Sequence, residues 1–153
     1  MHHLTMESPL GPLTISATEN AIVGLVIGQR HRDSAPTDLL NHAKNQLDEY
    51  FAGHRRDFDL PLHFQGTPFQ EAIWTTLRAI GHGETVSYRE LGEQAGVGTA
   101  PRAVGGAVGK NPIPVIIPCH RVLATTGRIT GYSGGEGIAT KEKLLDLEGI
   151  SYR

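Results

Sequence analysis

The chain has 153 residues, enough to bury a core as one domain or as two small ones sharing an interface. Its formal charge is −2, and 19 glycines and 9 prolines imply many turns. No apolar run approaches the ~20 residues a bilayer span requires, no basic-then-apolar signal pattern opens the chain, and one cysteine excludes an internal disulfide; a cytoplasmic protein is expected.

The distribution of charge says more than its sum. Residues 1–65 carry 5 Lys/Arg against 8 Asp/Glu, and residues 66–153 carry 9 against 8. Between 75 and 128 the basic residues Arg78, Arg89, Arg102, Lys110, Arg121 and Arg128 outnumber Glu84, Glu90 and Glu93, a modest positive face around the cysteine. Apart from His2-His3, which read as solvated start-of-chain residues, and the adjacent Cys119-His120, no Cys/His residues are closely spaced, so no metal is expected.

In chain order, residues 9–28 read as a β-hairpin. Leu13-Thr14-Ile15 and Ile22 to Ile27 are β-prone runs joined by Thr18-Glu19-Asn20. Gln29 to Pro36 is polar loop. From Asp38 to Ala52, the residues Leu39, Leu40, Ala43, Leu47, Tyr50 and Phe51 recur at helical spacing before Gly53. Phe58-Asp59-Leu60 suggests a short strand, and Pro61 to Gly66 a connector. The acidic Asp48-Glu49, near Asp57 and Asp59, reads as surface.

After Gly66 come short, well-marked helices. Thr67-Pro68-Phe69-Gln70 is a capping-box start, with the hydroxyl at N-cap, proline at N1 and glutamine at N3, and the helix should run to about Ile80 and bury Phe69, Ile73, Trp74 and Leu77. Ser87-Tyr88-Arg89-Glu90 is a second box, whose helix stops at Gly96. Thr99-Ala100-Pro101-Arg102 opens a third helix that runs to Asn111-Pro112, giving a helix-turn-helix outline. Beyond Arg102 that helix holds only small side chains. Gly105 and Gly106 each cost it about 1 kcal/mol relative to alanine, and close approach to another backbone, protein or DNA, would compensate. Val115-Ile116-Ile117 reads as a buried extended run delivering Pro118-Cys119-His120. Gly127, Gly131, Gly134 and Gly135 make a flexible loop, and a last helix from Ala139 or Thr140 ends at Glu148-Gly149.

The chemistry centres on Cys119, followed at once by His120 and Arg121. Positive neighbours favour thiolate, but a thiol of pKa about 8.5 is already a few per cent ionised at neutral pH, so full ionisation gains roughly 30-fold, about 2 kcal/mol. Positioning must supply the rest. In an extended segment adjacent side chains point to opposite faces, so unless the backbone turns sharply His120 should reach Cys119 through a water. A carboxylate would then fix the imidazole tautomer, with Glu148 as the candidate.

Asn111-Pro-x-Pro followed by Ile117-Pro118-Cys119-His120-Arg121-Val122 resembles the active-site signature of the O6-alkylguanine-DNA alkyltransferases, or methylated-DNA–protein-cysteine methyltransferases. The resemblance spans Gly66 to Ile150. It takes in Gly66-Thr67-Pro68-Phe69-Gln70, Val86-Ser87-Tyr88, Arg102 to Ala107, Gly131-Tyr132-Ser133-Gly134-Gly135 and Glu148-Gly149. Ser8 to Leu13 looks like the family's opening strand, and Glu136 to Thr140 looks longer than in some members.

The resemblance implies an α+β fold: a small N-terminal ribonuclease H-like α/β domain, 1–65, and a mainly helical C-terminal domain with a helix-turn-helix, 66–153. It implies transfer of an alkyl group from O6-alkylguanine in double-stranded DNA to Cys119, once per molecule, with no cofactor, no membrane and no obligate protein partner. Cys119 would be the acceptor, linked through water and His120 to Glu148. Asn111 would hold the turn before the cysteine, and Arg121 would be structural or support the site. Arg102 would replace the flipped nucleotide in the duplex, with Ala103, Gly105 and Lys110 on the same minor-groove-facing helix. Tyr88 would turn the phosphate and donate to the base, Ser133 would bond the guanine oxygen, Tyr132 would wall the pocket, and backbone at Cys119 and Val122 would read the guanine edge. Two other classes compete: a non-catalytic sensor of alkylated bases, against which the cysteine speaks, and a Cys-His hydrolase or thiol peroxidase, against which the lack of a second cysteine speaks.

Overall fold

The structure is a computed structural model describing residues 1–153. Its first layer is an antiparallel sheet ordered β1 (His2–Met6), β2 (Leu13–Ala17), β3 (Ile22–Ile27), with Leu13 opposite both Met6 and Ile27. Leu13, Ile15 and Ala17 alternate inward at the period of two that a half-buried strand requires. Against this face packs α1 (Asp38–Phe51), capped by the Thr37 hydroxyl and burying Leu40, Ala43, Leu47 and Tyr50.

Two readings of this region need correction. His2 and His3 are not solvated start-of-chain residues but part of β1, where the His3 Nδ1 meets Ser16 Oγ at 2.8 Å and its ring lies 4.2 Å from that of His31. The opening strand is therefore His2–Met6, and Ser8 to Gly11 is a turn closed by the Gly11 N–H on the Ser8 carbonyl. In His-His-Leu-Thr-Met only Leu4-Thr5-Met6 alternates, too short a run to reveal it. As an edge strand β1 exposes backbone donors, and the loop after β3 caps them: Asp33 accepts from Thr5 N–H and Ser34 from His3 N–H. Nor does Phe58-Asp59-Leu60 form a strand. The Gln46 side chain holds both the N–H and the carbonyl of Asp59, and only Leu62 bridges, in parallel, to Ile22.

In the second half, α2 (Pro68–Arg78) starts at the Thr67–Gln70 capping box, and its Trp74 indole N–H donates to the Ala107 carbonyl at 2.8 Å. A two-residue strand, β4 (Val86–Ser87), leads into α3 (Tyr88–Ala95), which ends on Gly96 at φ +70. Then comes α4 (Pro101–Gly109), which starts on Ala100 without a side-chain cap. The turn between α3 and α4 is tight: a Cβ on Gly92 would lie 2.0 Å from the Gly98 carbonyl oxygen, so only glycine fits. Short β5 (Val122–Leu123) pairs in parallel with β4, and α5 (Ile138–Leu147) closes the fold with Glu148 as its cap.

The segment before Cys119 differs from the extended run expected. Val115 sits at φ +74, and Pro114 and Ile117 face each other across a turn. For a β-branched residue this conformation stores roughly 1–3 kcal/mol and persists only where neighbours over-determine it. Asn111 does so, donating from Nδ2 to the Ile117 carbonyl at 2.8 Å and accepting the Ile113 N–H at 2.9 Å. The two halves meet here, with the Leu25 N–H of β3 on the Pro112 carbonyl and one buried cluster running from Leu13 and Leu47 to Trp74 and Ile117. The class is α+β: a small sheet-and-helix unit followed by a mainly helical one.

Candidate active site

Cys119, His120 and Arg121 form a single 3₁₀ turn. With about three residues per turn, successive side chains diverge by roughly a third of a circle. Cys119 therefore faces away from its two neighbours. Cys119 opens on a cleft of about 680 Å³ lined by Tyr88, Arg102, Gly105, Thr130, Tyr132 and Ser133 among others. His120 and Arg121 turn inward to Glu148. His120 thus makes no direct hydrogen bond to the thiol, though the cause is helical divergence rather than an extended backbone.

Glu148 is saturated. Its carboxylate accepts five donors: Tyr50 hydroxyl (2.5 Å), His120 Nε2 (2.5 Å), Arg121 Nε (2.8 Å) and Nη2 (3.1 Å), and the Gly83 N–H (3.1 Å). Burial alone would raise its pKa, but the bonds from His120 and Arg121 overcome that and hold it well below the usual carboxylate range. An ionised carboxylate only accepts, so His120 must carry its proton on Nε2. Burial lowers the His120 pKa from its ordinary 6.5 against the raising influence of Glu148, leaving a neutral ring. Its Nδ1 is buried without a protein partner, an acceptor kept free beside the cysteine turn.

The cationic neighbours do not act on the sulfur as their order in the chain suggests. Arg121 spends its guanidinium on Glu148 and the Ile80 carbonyl. Burial pushes the Cys119 thiol up, and the groups working against that are Asn111, Tyr132 and Lys141. Lys141, on α5, is fully buried without a carboxylate partner, donating to the carbonyls of Val122 (2.6 Å) and Gly131 (3.3 Å). Burial lowers its pKa from 10.5 to about 8, with Cys119 pulling the other way. The resting sulfur is a thiol beside a cation that gains from its ionisation. Tyr132 closes the wall, its hydroxyl buried without a partner of hydrogen-bond geometry and its pKa raised by burial and by Cys119.

Other expected site residues divide by face. Tyr88 shares a hydrogen bond with Thr130 Oγ1 at 2.5 Å and Ser133 donates to the Gly109 carbonyl at 2.9 Å, both on the cleft wall. On α4, Arg102, Ala103 and Lys110 are exposed while Val104, Ala107 and Val108 are buried. A Cβ at Gly105 would touch the Tyr88 ring at 3.7 Å, but at Gly106 and Gly109 it would meet nothing within 4 Å, so packing within the protein does not require those two glycines. Val122 lies in β5, outside the residues that line the cleft, and its carbonyl accepts from Lys141 Nζ at 2.6 Å.

Two family models cover nearly the whole chain: the 6-O-methylguanine DNA methyltransferase ribonuclease-like domain over residues 1–64 and the DNA-binding domain over 68–150. The chain belongs to the 6-O-methylguanine DNA methyltransferase family. It is similar to the methylated-DNA–protein-cysteine methyltransferase of Mycobacterium bovis, 41% identical with 97% of this chain and 92% of that one covered. It is also similar to the constitutive enzyme of Bacillus subtilis, at 40% with 99% and 98% covered. The crystal structure of Mycobacterium tuberculosis OGT in complex with DNA superposes with a TM-score of 0.87 at 42% identity, covering 97% of this chain and 92% of that one.

Within this methyltransferase site, sequence reasoning missed Tyr50, Lys141 and Thr130. Lys141 left a signal: it lies three, four and seven residues from Leu144, Leu145 and Glu148, a charge on the inward face of its helix. Tyr50 left none, since a tyrosine on the apolar face of α1 reads as core.

Proposed function

We propose that this protein repairs double-stranded DNA by transferring the alkyl group of O6-alkylguanine to its own Cys119, once per molecule. The observation that carries this is one cleft holding Cys119 at its floor, with Arg102, Tyr88 and Ser133 around it and the His120–Glu148 pair behind. Such a volume suits a single base taken out of the stack. The relatives' activity and the DNA complex of a similar protein support the same reading.

In the reaction, the Cys119 proton passes through a bridging water to the free His120 Nδ1, and Glu148, already compensated by Arg121, steadies the imidazolium. Lys141 gains the thiolate as a counterion. The sulfur attacks the alkyl carbon in line, the carbon–O6 bond breaks with its electron pair on oxygen, and the guanine takes up one proton. Tyr88 donates toward that oxygen, and Ser133 does so after turning its hydroxyl from Gly109. A thioether offers water no carbonyl to attack, so the chain is spent.

The bare outer face of α4 is the DNA surface. Gly106 and Gly109, unneeded for internal packing, let a duplex backbone approach closely, in the minor groove, while Arg102 fills the place of the extruded base and Lys110 meets phosphate. Ala103 and Gly105 complete that surface. In this proposal residues 1–65 and 66–153 are two units, and the protein acts in the cytoplasm as a monomer without organic cofactor or metal. Duplex DNA carrying labelled O6-methylguanine is expected to lose its label to the protein and retain plain guanine. Tight binding with the label left in DNA would favour a sensor instead.

A further inference from the structure

We propose that Tyr50, from helix α1 of the N-terminal unit, is a positioning residue of the alkyl-transfer site that sets, through Glu148, how strongly His120 holds a proton. The inference rests on the alkyl-transfer reading and deepens it. Tyr50 is 1% exposed, and its hydroxyl donates at 2.5 Å to Glu148 Oε2, the same oxygen that takes the His120 Nε2 proton at 2.5 Å. Arg121 Nη2 adds a third donor to that oxygen, while Oε1 has two, Arg121 Nε and the Gly83 N–H. A carboxylate oxygen offers two lone-pair sites, so Oε2 is oversubscribed and Tyr50 competes directly with His120 for its electron density.

Packing alone does not need the hydroxyl. The ring is seated by Phe51 and Phe58, each with centroids 5.3 Å away, and phenylalanine would keep those contacts. The hydroxyl meets a carboxylate that Arg121 and Gly83 already satisfy, so its contribution is to weaken the pull of Glu148 on the imidazole. The charged and titratable groups around His120 are Glu148 and Lys141 from α5 and its cap, Arg121 and Cys119 from its own turn, and Tyr50 from α1, with His82 beyond, its ring 6.1 Å from that of Tyr50. Of these, only Tyr50 lies in the N-terminal sheet-and-helix unit, which thereby enters the chemistry of the helical one.

Removing the hydroxyl leaves more charge on Oε2, so His120 gains a proton more easily and must shed it at higher pH to serve as base. In the full-length Tyr50→Phe protein, the acid limb of the methyl-transfer rate should move up by about one pH unit, the size of one hydrogen bond to a charged group. Affinity for duplex DNA should be unchanged. A purely structural role would lower the rate equally at every pH, and that result, or an unmoved acid limb, overturns the proposal. Should the variant fail to fold, wild-type protein still decides by proton NMR. A slowly exchanging low-field hydroxyl proton with a nuclear Overhauser contact to the His120 ring is expected, and its absence refutes the bond. A wild type that transfers no methyl removes the alkyl-transfer reading itself, whereas a wild type that transfers beside an unshifted variant removes only this inference.

Discussion

The interior around Glu148 and the outer face of α4 flank the same cysteine and are built on opposite terms. Inside, one carboxylate has five donors, two of them from the Arg121 guanidinium, so nothing must reorganise before chemistry begins. Outside, Arg102 and Lys110 are exposed and two glycines meet nothing, although each glycine weakens the helix. The interior is completed by the fold; the face is left open to solvent. Lys141 stands between the two regimes, buried like Glu148 yet without an opposite charge until the thiol ionises.

The contrast is sharpest at Glu148. Glu148→Gln leaves Arg121 buried without its counterion and should cost about 3–5 kcal/mol in urea denaturation. It should also slow methyl transfer by roughly 10²–10⁴, the range of a disabled general base, because His120 loses the carboxylate that steadies its imidazolium. A variant of unchanged stability would show that the interior is not a closed network. Arg102→Ala, on the face, should behave oppositely. Stability holds within about 0.5 kcal/mol, and repair of duplex DNA falls by roughly 10–100-fold, the size of the few kcal/mol of unstacking it helps to offset. Reaction with a free O6-alkylguanine base should be spared; equal losses on both substrates would remove Arg102 from base extrusion.

Lys141→Met tests the intermediate case. Relief of a buried cation and loss of donors to Val122 and Gly131 work against each other, so stability should change by under about 1 kcal/mol at pH 7. Transfer should slow by roughly tenfold, equivalent to one unit in the thiol pKa. The pH dependence adds a signature. Because the folded-state pKa is lowered to about 8 from 10.5, the unfolded chain binds more protons above pH 8, and Lys141 makes stability rise with pH there. From about pH 9 the Cys119 proton, retained longer in the folded state, opposes the rise. Subtracting the variant's stability profile from the wild type's should isolate a positive slope starting near pH 8; no such slope would mean that folding does not lower the Lys141 pKa. The smallest effect is expected at Gly106→Ala, which should stabilise the helix by about 0.5–1 kcal/mol and yet weaken duplex binding a few-fold. Unweakened binding would take the duplex off this face.

What could be read from sequence follows the same division. The capping boxes at Thr67 and Ser87, the stop at Gly96 and the surplus of glycine on α4 are local signals, and the structure forms those helices. Val115-Ile116-Ile117 has strand composition, yet the path into Cys119 turns, because Asn111 grips Ile113 and Ile117. Likewise β1 depends on pairing with β2, and the alternation of Leu4-Thr5-Met6 is too short to encode it. The bond from Tyr50 to Glu148 joins residues 98 apart, a distance no local pattern spans. The family resemblance named the cysteine, histidine and glutamate; it did not show that arginine, rather than histidine, neutralises the glutamate.

The central claim is that Cys119 accepts the alkyl group and is consumed. Intact-protein mass measurement after incubation with excess duplex DNA containing O6-methylguanine tests it most directly. One methyl should appear on each chain, located to the Cys119 peptide, with repair stopping at one equivalent and Cys119→Ala taking up none. An unmodified chain, a methyl on another residue, or continued repair beyond one equivalent would contradict it.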